Sequence, residues 1–140
     1  MITAVTLHRR PWFVSPKHAR ILLDTLMHVR SKGWLFLLAF VIMPEHFHLL
    51  IVPKDRPVPE CLKAIKGFTA RRINQALKRT GALWQDGYFD LLIEDPKKAL
   101  TRVAYIEANP IRRGLAQTPE AYPFSSAACR EQTDFEMFFG

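Results

Sequence analysis

Two histidines flank one bulky apolar residue in the triplet His46-Phe47-His48, which opens an apolar run ending at Val52. If this run is a β-strand, its side chains alternate between two faces, so both histidines point to one side and Phe47 to the other. Two imidazoles at this spacing can hold a metal ion when a third ligand comes from elsewhere. The alternative is that both are plain surface residues of a strand. The other histidines are expected to be structural or surface residues: His8, His18 and His28.

A tyrosine that points away from the core is the candidate nucleophile. Asp95-Pro96 pairs an N-cap residue with a proline, and it predicts a helix that ends near Asn109, before another proline. Apolar residues recur along this helix on the side opposite Tyr105, at roughly 100° per residue. Asn109 follows Tyr105 by one turn on the same face. The alternative is an ordinary exposed tyrosine. The basic residues that share its face are Lys98 and Arg102.

The order of the remaining patterns predicts an α+β domain. In chain order we expect a strand at residues 2–7, a helix at 15–33, strands at 34–43 and 46–52, a helix after Pro57, a strand at 88–93 and the Tyr105 helix. This order is typical of a ferredoxin-like or RRM-like fold, an antiparallel sheet with helices packed on one side. The histidine pair would then begin an inner strand, which is a rigid place for a site.

Net charge is the most informative part of the composition. Twenty lysines and arginines against thirteen aspartates and glutamates give +7, with a pI near 9.8. A basic domain favours a polyanionic partner, nucleic acid first, although a generic basic surface is the alternative. The 140 residues suffice for one domain with a real core. No apolar stretch is long enough for a membrane span, and two cysteines suit a reducing cytoplasm.

The helix after Pro57 carries a dense set of basic residues and no acid after Glu60. Contact with phosphates is one interpretation, and a solvated helix face is the other. The residues predicted to bind DNA are Lys63, Lys66, Arg71 and Arg72 on this helix, and Lys98 and Arg102 on the Tyr105 helix.

Three stretches resemble the HUH single-tyrosine transposases, and among these the REP-associated tyrosine transposases most. They are residues 41–50 (VIMPEHFHLL), 84–90 (WQDGYFD) and 105–115 (YIEANPIRRGL), and residues 122–126 (YPFSS) also fit. The triplet alone is a weak signal, but the triplet followed by the tyrosine block is a specific one. The resemblance spans nearly the whole chain. One departure is Arg113, where the family commonly has alanine, and it removes no catalytic group.

The resemblance implies a metal-dependent reaction on DNA. His46 and His48 would bind Mg²⁺ or Mn²⁺, with Asn109 as the third protein ligand. Tyr105 would attack a phosphodiester of single-stranded DNA, form a 5′-phosphotyrosine link and free a 3′-OH. Because the link conserves the bond energy, the 3′-OH of another strand can reseal it without ATP. The implied substrate is hairpin DNA such as a palindromic repeat. The protein is expected to be a monomer or homodimer at the nucleoid of a bacterial cytoplasm, without a membrane partner.

Two other functions stay open at this point. One is a non-catalytic module that binds hairpin DNA or RNA, which would not need the tyrosine, both histidines and Asn109 together. The other is a different HUH endonuclease, either a plasmid relaxase or a rolling-circle replication initiator, but a relaxase generally carries its tyrosine near the N-terminus. Residues 1–115 are expected to form the catalytic domain. Residues 116–140 are expected to be a phenylalanine-rich tail that docks on the domain or on a partner.

Overall fold

The computed structural model describes all 140 residues. Strands β1 to β4 span Ile2–Val5, Leu35–Ile42, His46–Pro53 and Phe89–Asp90, and helices α1 to α4 span Pro16–Ser31, Val58–Leu77, Pro96–Arg112 and Phe135–Phe139. Short 3-10 turns cover Leu7–Arg9, Trp12–Val14, Pro119–Ala121, Ser126–Ala128 and Arg130–Gln132. None of the helices has the length and apolar character needed to cross a membrane.

The four strands form one antiparallel sheet in the order β2-β3-β1-β4. β3 is an inner strand, with β2 on one side and β1 on the other. In the register of β3 with β1, His46 lies opposite Val5 and His48 lies opposite Thr3. This arrangement confirms the predicted α+β, ferredoxin-like class.

One face of the sheet is covered by α1 and α2, which form the predicted helical layer. A cluster of 20 buried hydrophobic residues lies between these helices and the sheet. Phe47 and Leu49 project into it from β3, and both are fully buried. Leu22 of α1 and Ile65 of α2 meet them from the helical side. This cluster is the main core. It is large because α1, α2 and the sheet each contribute an apolar face to it.

The opposite face of the sheet is crossed by α3. Val103 and Ile106 of α3 pack in a smaller cluster of seven buried residues, with Val41 of β2 and Leu50 of β3. Leu50 is an even-numbered residue of β3, so it shares its face with His46 and His48. The candidate site and α3 therefore lie on the same side of the sheet, away from α1 and α2.

Three predicted boundaries were wrong. The first strand, predicted at residues 2–7, ends at Val5, and a 3-10 turn covers Leu7–Arg9. The strand predicted at residues 88–93 comprises only Phe89–Asp90, because its partner β1 begins at Ile2, which already lies opposite Asp90. The helix predicted to end near Asn109 continues to Arg112, with Pro110 inside it. The helix tolerates this proline in its last turn, where the Asn109 carbonyl still accepts the Arg113 N–H at 3.2 Å.

The C-terminal segment, residues 116–140, packs on the domain along β2. The Ser126 hydroxyl accepts the Phe40 N–H at 3.1 Å, and the Asp134 carboxylate accepts the Leu37 N–H at 2.8 Å. β2 is an edge strand, so these bonds satisfy backbone groups that would otherwise be open to another strand. The aromatic residues of the segment that pack against the smaller cluster are Phe135, Phe139 and Tyr122.

Candidate active site

The two histidines of β3 lie side by side on the face that α3 crosses. Their ring centroids are 4.8 Å apart and the rings are tilted by 73°. Both residues are buried, with 9% of His46 and 7% of His48 exposed. The alternation predicted from the sequence therefore holds, and the pair is enclosed rather than displayed on an open surface.

Each histidine has its Nδ1 atom engaged by a neighbouring side chain. His46 Nδ1 donates to Glu45 Oε1 at 2.9 Å, because a carboxylate can only accept. His48 Nδ1 lies 2.8 Å from the Thr3 hydroxyl of β1. These contacts fix both ring orientations and leave the two Nε2 atoms as the nitrogens available to a ligand. Metal-binding histidines are typically held by such an outer partner on the second ring nitrogen.

Burial keeps both imidazoles neutral. It lowers the pKa of His48 to about 4, with smaller contributions from the nearby charges of His46 and Arg112. Burial also lowers the pKa of His46, although its bond to Glu45 opposes the change. A metal binds only the unprotonated imidazole, so neutral rings near pH 7 are ready for coordination.

Tyr105 projects from α3 toward the histidine pair. Its ring centroid lies 6.1 Å from that of His48, and 40% of the residue is exposed. Two guanidinium groups flank the ring, Arg112 at 4.3 Å and Arg102 at 5.3 Å from its centroid. Arg112 also donates to the Tyr105 carbonyl at 2.9 Å. The phenol is thus open to solvent, next to the histidines, and surrounded by positive charge.

The other two tyrosines have different surroundings. The Tyr122 hydroxyl donates to the Ile42 carbonyl at 2.7 Å, and burial raises its pKa to about 12. Tyr88 packs against the large cluster, on the side of α1 and α2. Of the three tyrosines, Tyr105 is therefore the one whose ring contacts a histidine of the pair.

Asn109 lies on α3 between Tyr105 and Arg113, which contact His48 and Glu45. It follows Tyr105 by four residues and precedes Arg113 by four, and it is buried. Tyr105 lies beside His48 and Arg113 contacts Glu45, so Asn109 lies in the helical stretch between these two contacts. No three His, Cys, Asp or Glu side chains form a metal-binding group. The residues that could hold a divalent ion are the two imidazoles, His46 and His48, and the amide of Asn109.

Glu45 and Arg113 are site residues that the sequence analysis missed. Arg113 Nη1 donates to Glu45 Oε1 at 2.8 Å and Nη2 donates to Oε2 at 3.3 Å, so the pair is bidentate. Burial opposes ionisation of Glu45, but hydrogen bonds from Arg113 and His46 outweigh it and lower the pKa of its carboxyl. The available signals were the position of Glu45 next to His46 and the unusual arginine at position 113.

A family model described as "Transposase IS200 like" matches residues 1–109. This match includes the histidine strand, Tyr105 and Asn109. The chain belongs to the IS200-like transposase family. Membership confirms the transposase resemblance seen in the sequence motifs.

Two curated relatives of this transposase-family chain are similar over part of their length. The ISDra2 transposase TnpA of Deinococcus radiodurans is 30% identical over 92 residues, which cover 61% of this chain and 65% of the relative. A Haemophilus influenzae protein described as a REP-associated tyrosine transposase is 27% identical over 99 residues, which cover 63% of this chain and 56% of the relative. The chain thus spans less than two thirds of the curated relatives it matches.

Two solved structures share the fold. A REP-associated tyrosine transposase bound to a REP hairpin superposes with a TM-score of 0.75 at 22% identity, over 91% of this chain and 75% of the other. A crystal structure described as that of a transposase from Deinococcus radiodurans gives a TM-score of 0.55 at 29% identity, over 76% of this chain and 85% of the other. The sheet and its helices therefore have the architecture of this family.

The basic residues predicted to bind DNA fall into two groups on opposite sides of the sheet. Lys98 and Arg102 lie on α3 with Tyr105, whereas the others lie on α2 in the opposite layer. Lys66 differs from the rest, because its ammonium donates to the carbonyls of Gln85 at 3.1 Å and Gly87 at 2.6 Å. Burial lowers the pKa of Lys66. Lys66 therefore holds a loop, and the exposed basic residues of α2 are Lys63, Arg71 and Arg72.

Proposed function

We propose that this chain is a divalent-metal-dependent endonuclease and strand transferase for single-stranded DNA, acting through Tyr105. The observation that carries the proposal is the 6.1 Å separation of the Tyr105 and His48 rings. This proximity places an exposed phenol on α3 next to a pair of neutral imidazoles on β3, two elements that are far apart in sequence. Membership of the IS200-like family supports the reaction class.

His46 Nε2, His48 Nε2 and the Asn109 amide would hold the metal ion. Imidazoles suit first-row transition ions and an amide oxygen suits Mg²⁺ or Mn²⁺, so Mn²⁺ matches both kinds of ligand. When bound, such an ion supplies positive charge that polarises a phosphoryl oxygen. The two imidazoles contribute only neutral donors, so the charge of the ion stays available to the phosphate.

Tyr105 would be the nucleophile. Its phenol oxygen forms a bond to phosphorus, the bond to the 3′ oxygen breaks, and the leaving oxygen takes up a proton to become a free 3′-OH. The phenol proton must leave as well, and an ordinary phenol has a pKa near 10. Arg102 and Arg112 flank the ring, and their positive charge favours an incoming phosphate.

Glu45 and Arg113 would act as positioning residues. Glu45 fixes the proton of His46 on Nδ1, and Arg113 fixes Glu45 through a bidentate ion pair. Arg113 follows the last residue of α3, so the same contact ties the tyrosine helix to the histidine strand. Thr3 plays the corresponding part for His48.

Hairpin DNA is the proposed substrate form. The net charge of +7 favours a polyanion, and a structure with the same fold has been solved with a REP hairpin bound. The exposed basic residues of α2 lie on the other side of the sheet from Tyr105. We therefore assign them to the duplex stem, and Lys98 and Arg102 to the single strand that reaches the tyrosine.

The test is a search for a covalent adduct with labelled hairpin DNA and Mn²⁺ on denaturing gels. We expect an adduct whose DNA-linked peptide contains Tyr105, and no adduct from Tyr105→Phe or in excess EDTA. Tyr88→Phe is the matched control, because it removes a hydroxyl outside the site. An adduct on Tyr88 or Tyr122, or undiminished cleavage by Tyr105→Phe, would overturn the assignment. Hairpin binding without any adduct would favour a non-catalytic module.

A further inference from the structure

A second basic and aromatic site lies around Trp12, which packs against the larger hydrophobic cluster on the α1 and α2 side of the sheet. We define the Trp12 cluster by two half-buried rings, Trp12 and His18, and the basic residues around them, His8, Arg10 and Arg79. The Arg79 guanidinium lies over the Trp12 ring, 4.7 Å from its centroid. The His18 ring meets Trp12 edge-on at 6.3 Å, and its Nδ1 lies 2.9 Å from the Trp12 carbonyl.

No acid compensates the positive charge of the Trp12 cluster. The ion pairs of the chain involve other residues, including the neighbouring Arg9, and none involves Arg10 or Arg79. Arg79 is instead held over the ring by a hydrogen bond from its side chain to the Asn74 carboxamide. Two unpaired guanidinium groups next to an aromatic ring are the groups that bind the phosphates and bases of single-stranded nucleic acid.

The backbone that presents the cluster is strained. His8 and Arg9 both have left-handed φ angles, 58° and 53°, which non-glycine residues rarely adopt, least of all in succession. The turn is held at its two ends, where the Leu7 N–H donates to the Leu83 carbonyl and the Phe13 N–H donates to the Pro44 carbonyl. Strain maintained in this way is concentrated at functional segments of proteins.

The surface around Trp12 is concave on two sides. A cleft of about 230 Å³ is lined by His8, Arg10, Trp12 and Arg79, with Leu7 and Ala82. A second cleft of about 310 Å³ lies across Trp12, and Arg10 and His18 line it with Pro11 and Ser15. Arg10 and Trp12 are common to both, and neither cleft contains an acidic residue. In each cleft, Trp12 can contact a base and Arg10 can contact a phosphate of a bound nucleotide.

The strained turn also connects the cluster to the candidate active site. Arg9 Nη1 lies 3.9 Å from Glu45 Oε1, the carboxylate that fixes His46. The Pro44 carbonyl that holds Phe13 is two residues before His46. The turn that carries Arg9, Arg10 and Trp12 therefore also contacts the residues that precede His46.

We propose that the Trp12 cluster is a subsite for an unpaired nucleotide of the same DNA strand. A base stacks on the Trp12–Arg79 pair, and Arg10 contacts the adjoining phosphate. The chemical class of the ligand, single-stranded DNA, rests on the proposed function. The location rests on the stack, the unpaired charge, the two clefts and the strained turn.

The test compares binding of two labelled hairpins in EDTA, one blunt and one with a short oligothymidine 5′ extension. The protein carries Tyr105→Phe, so that no chemistry intervenes. Adding Trp12→Leu should weaken binding of the extended hairpin about 5- to 150-fold, the range measured for losing one base–aromatic stack, and should leave the blunt hairpin unchanged. Trp12→Tyr keeps an aromatic ring and should retain most of the affinity.

The matched control is Trp34→Leu. Trp34 is also half-buried and also carries an arginine over its ring, Arg56 at 5.1 Å, but it lies before β2 at the end of the sheet remote from His46. It should bind both hairpins like the parent. Unchanged binding by a folded Trp12→Leu protein would overturn the subsite, and so would an equal loss on the blunt hairpin, which would mean that the stem contacts Trp12.

Failure of this subsite is distinguishable from failure of the proposed function. If the chain with Tyr105 intact forms an adduct and Trp12→Leu binds normally, the subsite is wrong and the reaction stands. If no adduct forms but Trp12→Leu loses affinity only for the extended hairpin, the subsite stands on a protein that binds single strands without cleaving them.

Discussion

The two faces of the sheet differ in how they use alternate residues of the same strand. From β3, Phe47 and Leu49 enter a cluster of 20 buried hydrophobic residues under α1 and α2. From the same strand, His46 and His48 face α3 beside a cluster of only seven. One face thus supplies most of the apolar burial, and the other positions polar groups. Substitutions one residue apart on β3 should therefore change different properties.

The largest effect should come from the core face. Phe47 is fully buried and its ring lies 5.3 Å from that of Trp84, so Phe47→Ala should lower the free energy of unfolding by about 3–5 kcal/mol. His48→Ala removes a single hydrogen bond with Thr3 and should lower it by only about 1 kcal/mol. Urea denaturation measures both. Equal losses from the two variants would mean that the faces are not divided in this way.

The dependence of stability on pH should belong to the histidine face. The pKa of His48 is about 4 in the folded chain, whereas an unperturbed histidine, as in the unfolded chain, has a pKa of 6.5. Between pH 4 and pH 6.5 the unfolded chain therefore binds more protons than the folded chain. The free energy of unfolding should therefore fall as the pH falls from 6.5 to 4, by on the order of 3 kcal/mol for this group. His48→Gln should remove that part of the slope. Phe47→Leu is the control, since it should lower stability equally at every pH in this range.

The next effect concerns the partners of His46. Arg113→Ala or Glu45→Gln should weaken Mn²⁺ binding about 10- to 100-fold, as loss of an outer partner of a metal-binding histidine does. Calorimetric titration of Mn²⁺ measures this without any DNA. Arg113→Lys should recover part of the affinity, because it keeps the charge and loses the bidentate geometry.

A spectroscopic readout separates positioning from general loosening of the fold. In the parent, nitrogen-15 shifts of His46 should report the proton on Nδ1, and Glu45→Gln should weaken that preference. Arg30→Ala is the control, because it breaks a different ion pair between an arginine and a largely buried carboxylate, that of Arg30 with Asp134. If Arg30→Ala reduced Mn²⁺ affinity as much as Arg113→Ala, the effect would be one of stability.

The smallest effect should distinguish the two groups of basic residues. Replacing Lys63 and Arg71 together should reduce the slope of log affinity against log salt by about 0.9 per phosphate for a duplex stem. Replacing Arg102 should reduce it by about 0.7 for a short single strand, and Lys66→Ala should act mainly on the 85–87 loop that it holds. If the double variant on α2 changed neither affinity nor slope for hairpins, α2 would not face the DNA.

Local periodicity predicted the components of the site. Alternation along β3 put both histidines on one face and Phe47 on the other, and the helical period put Tyr105 and Asn109 on a face without core residues. The N-cap at Asp95 was also predicted, and its carboxylate accepts the Lys97 N–H at 2.9 Å. These properties depend on bonds and contacts between residues only a few positions apart, so the sequence determines them directly.

Tertiary structure decided which faces meet. It placed α3 across the histidine face of the sheet. It also brought Arg113 into contact with Glu45, 68 positions away, and Thr3 into contact with His48, 45 positions away. The same holds for Lys66, whose sequence context is that of a solvated basic face but whose ammonium binds the carbonyls of Gln85 and Gly87. The spacing of apolar residues along one helix or strand predicts which of its residues share a face. Which faces of different elements come together depends on how the whole chain buries its apolar surface, and that is fixed only when the sheet and its helices have packed.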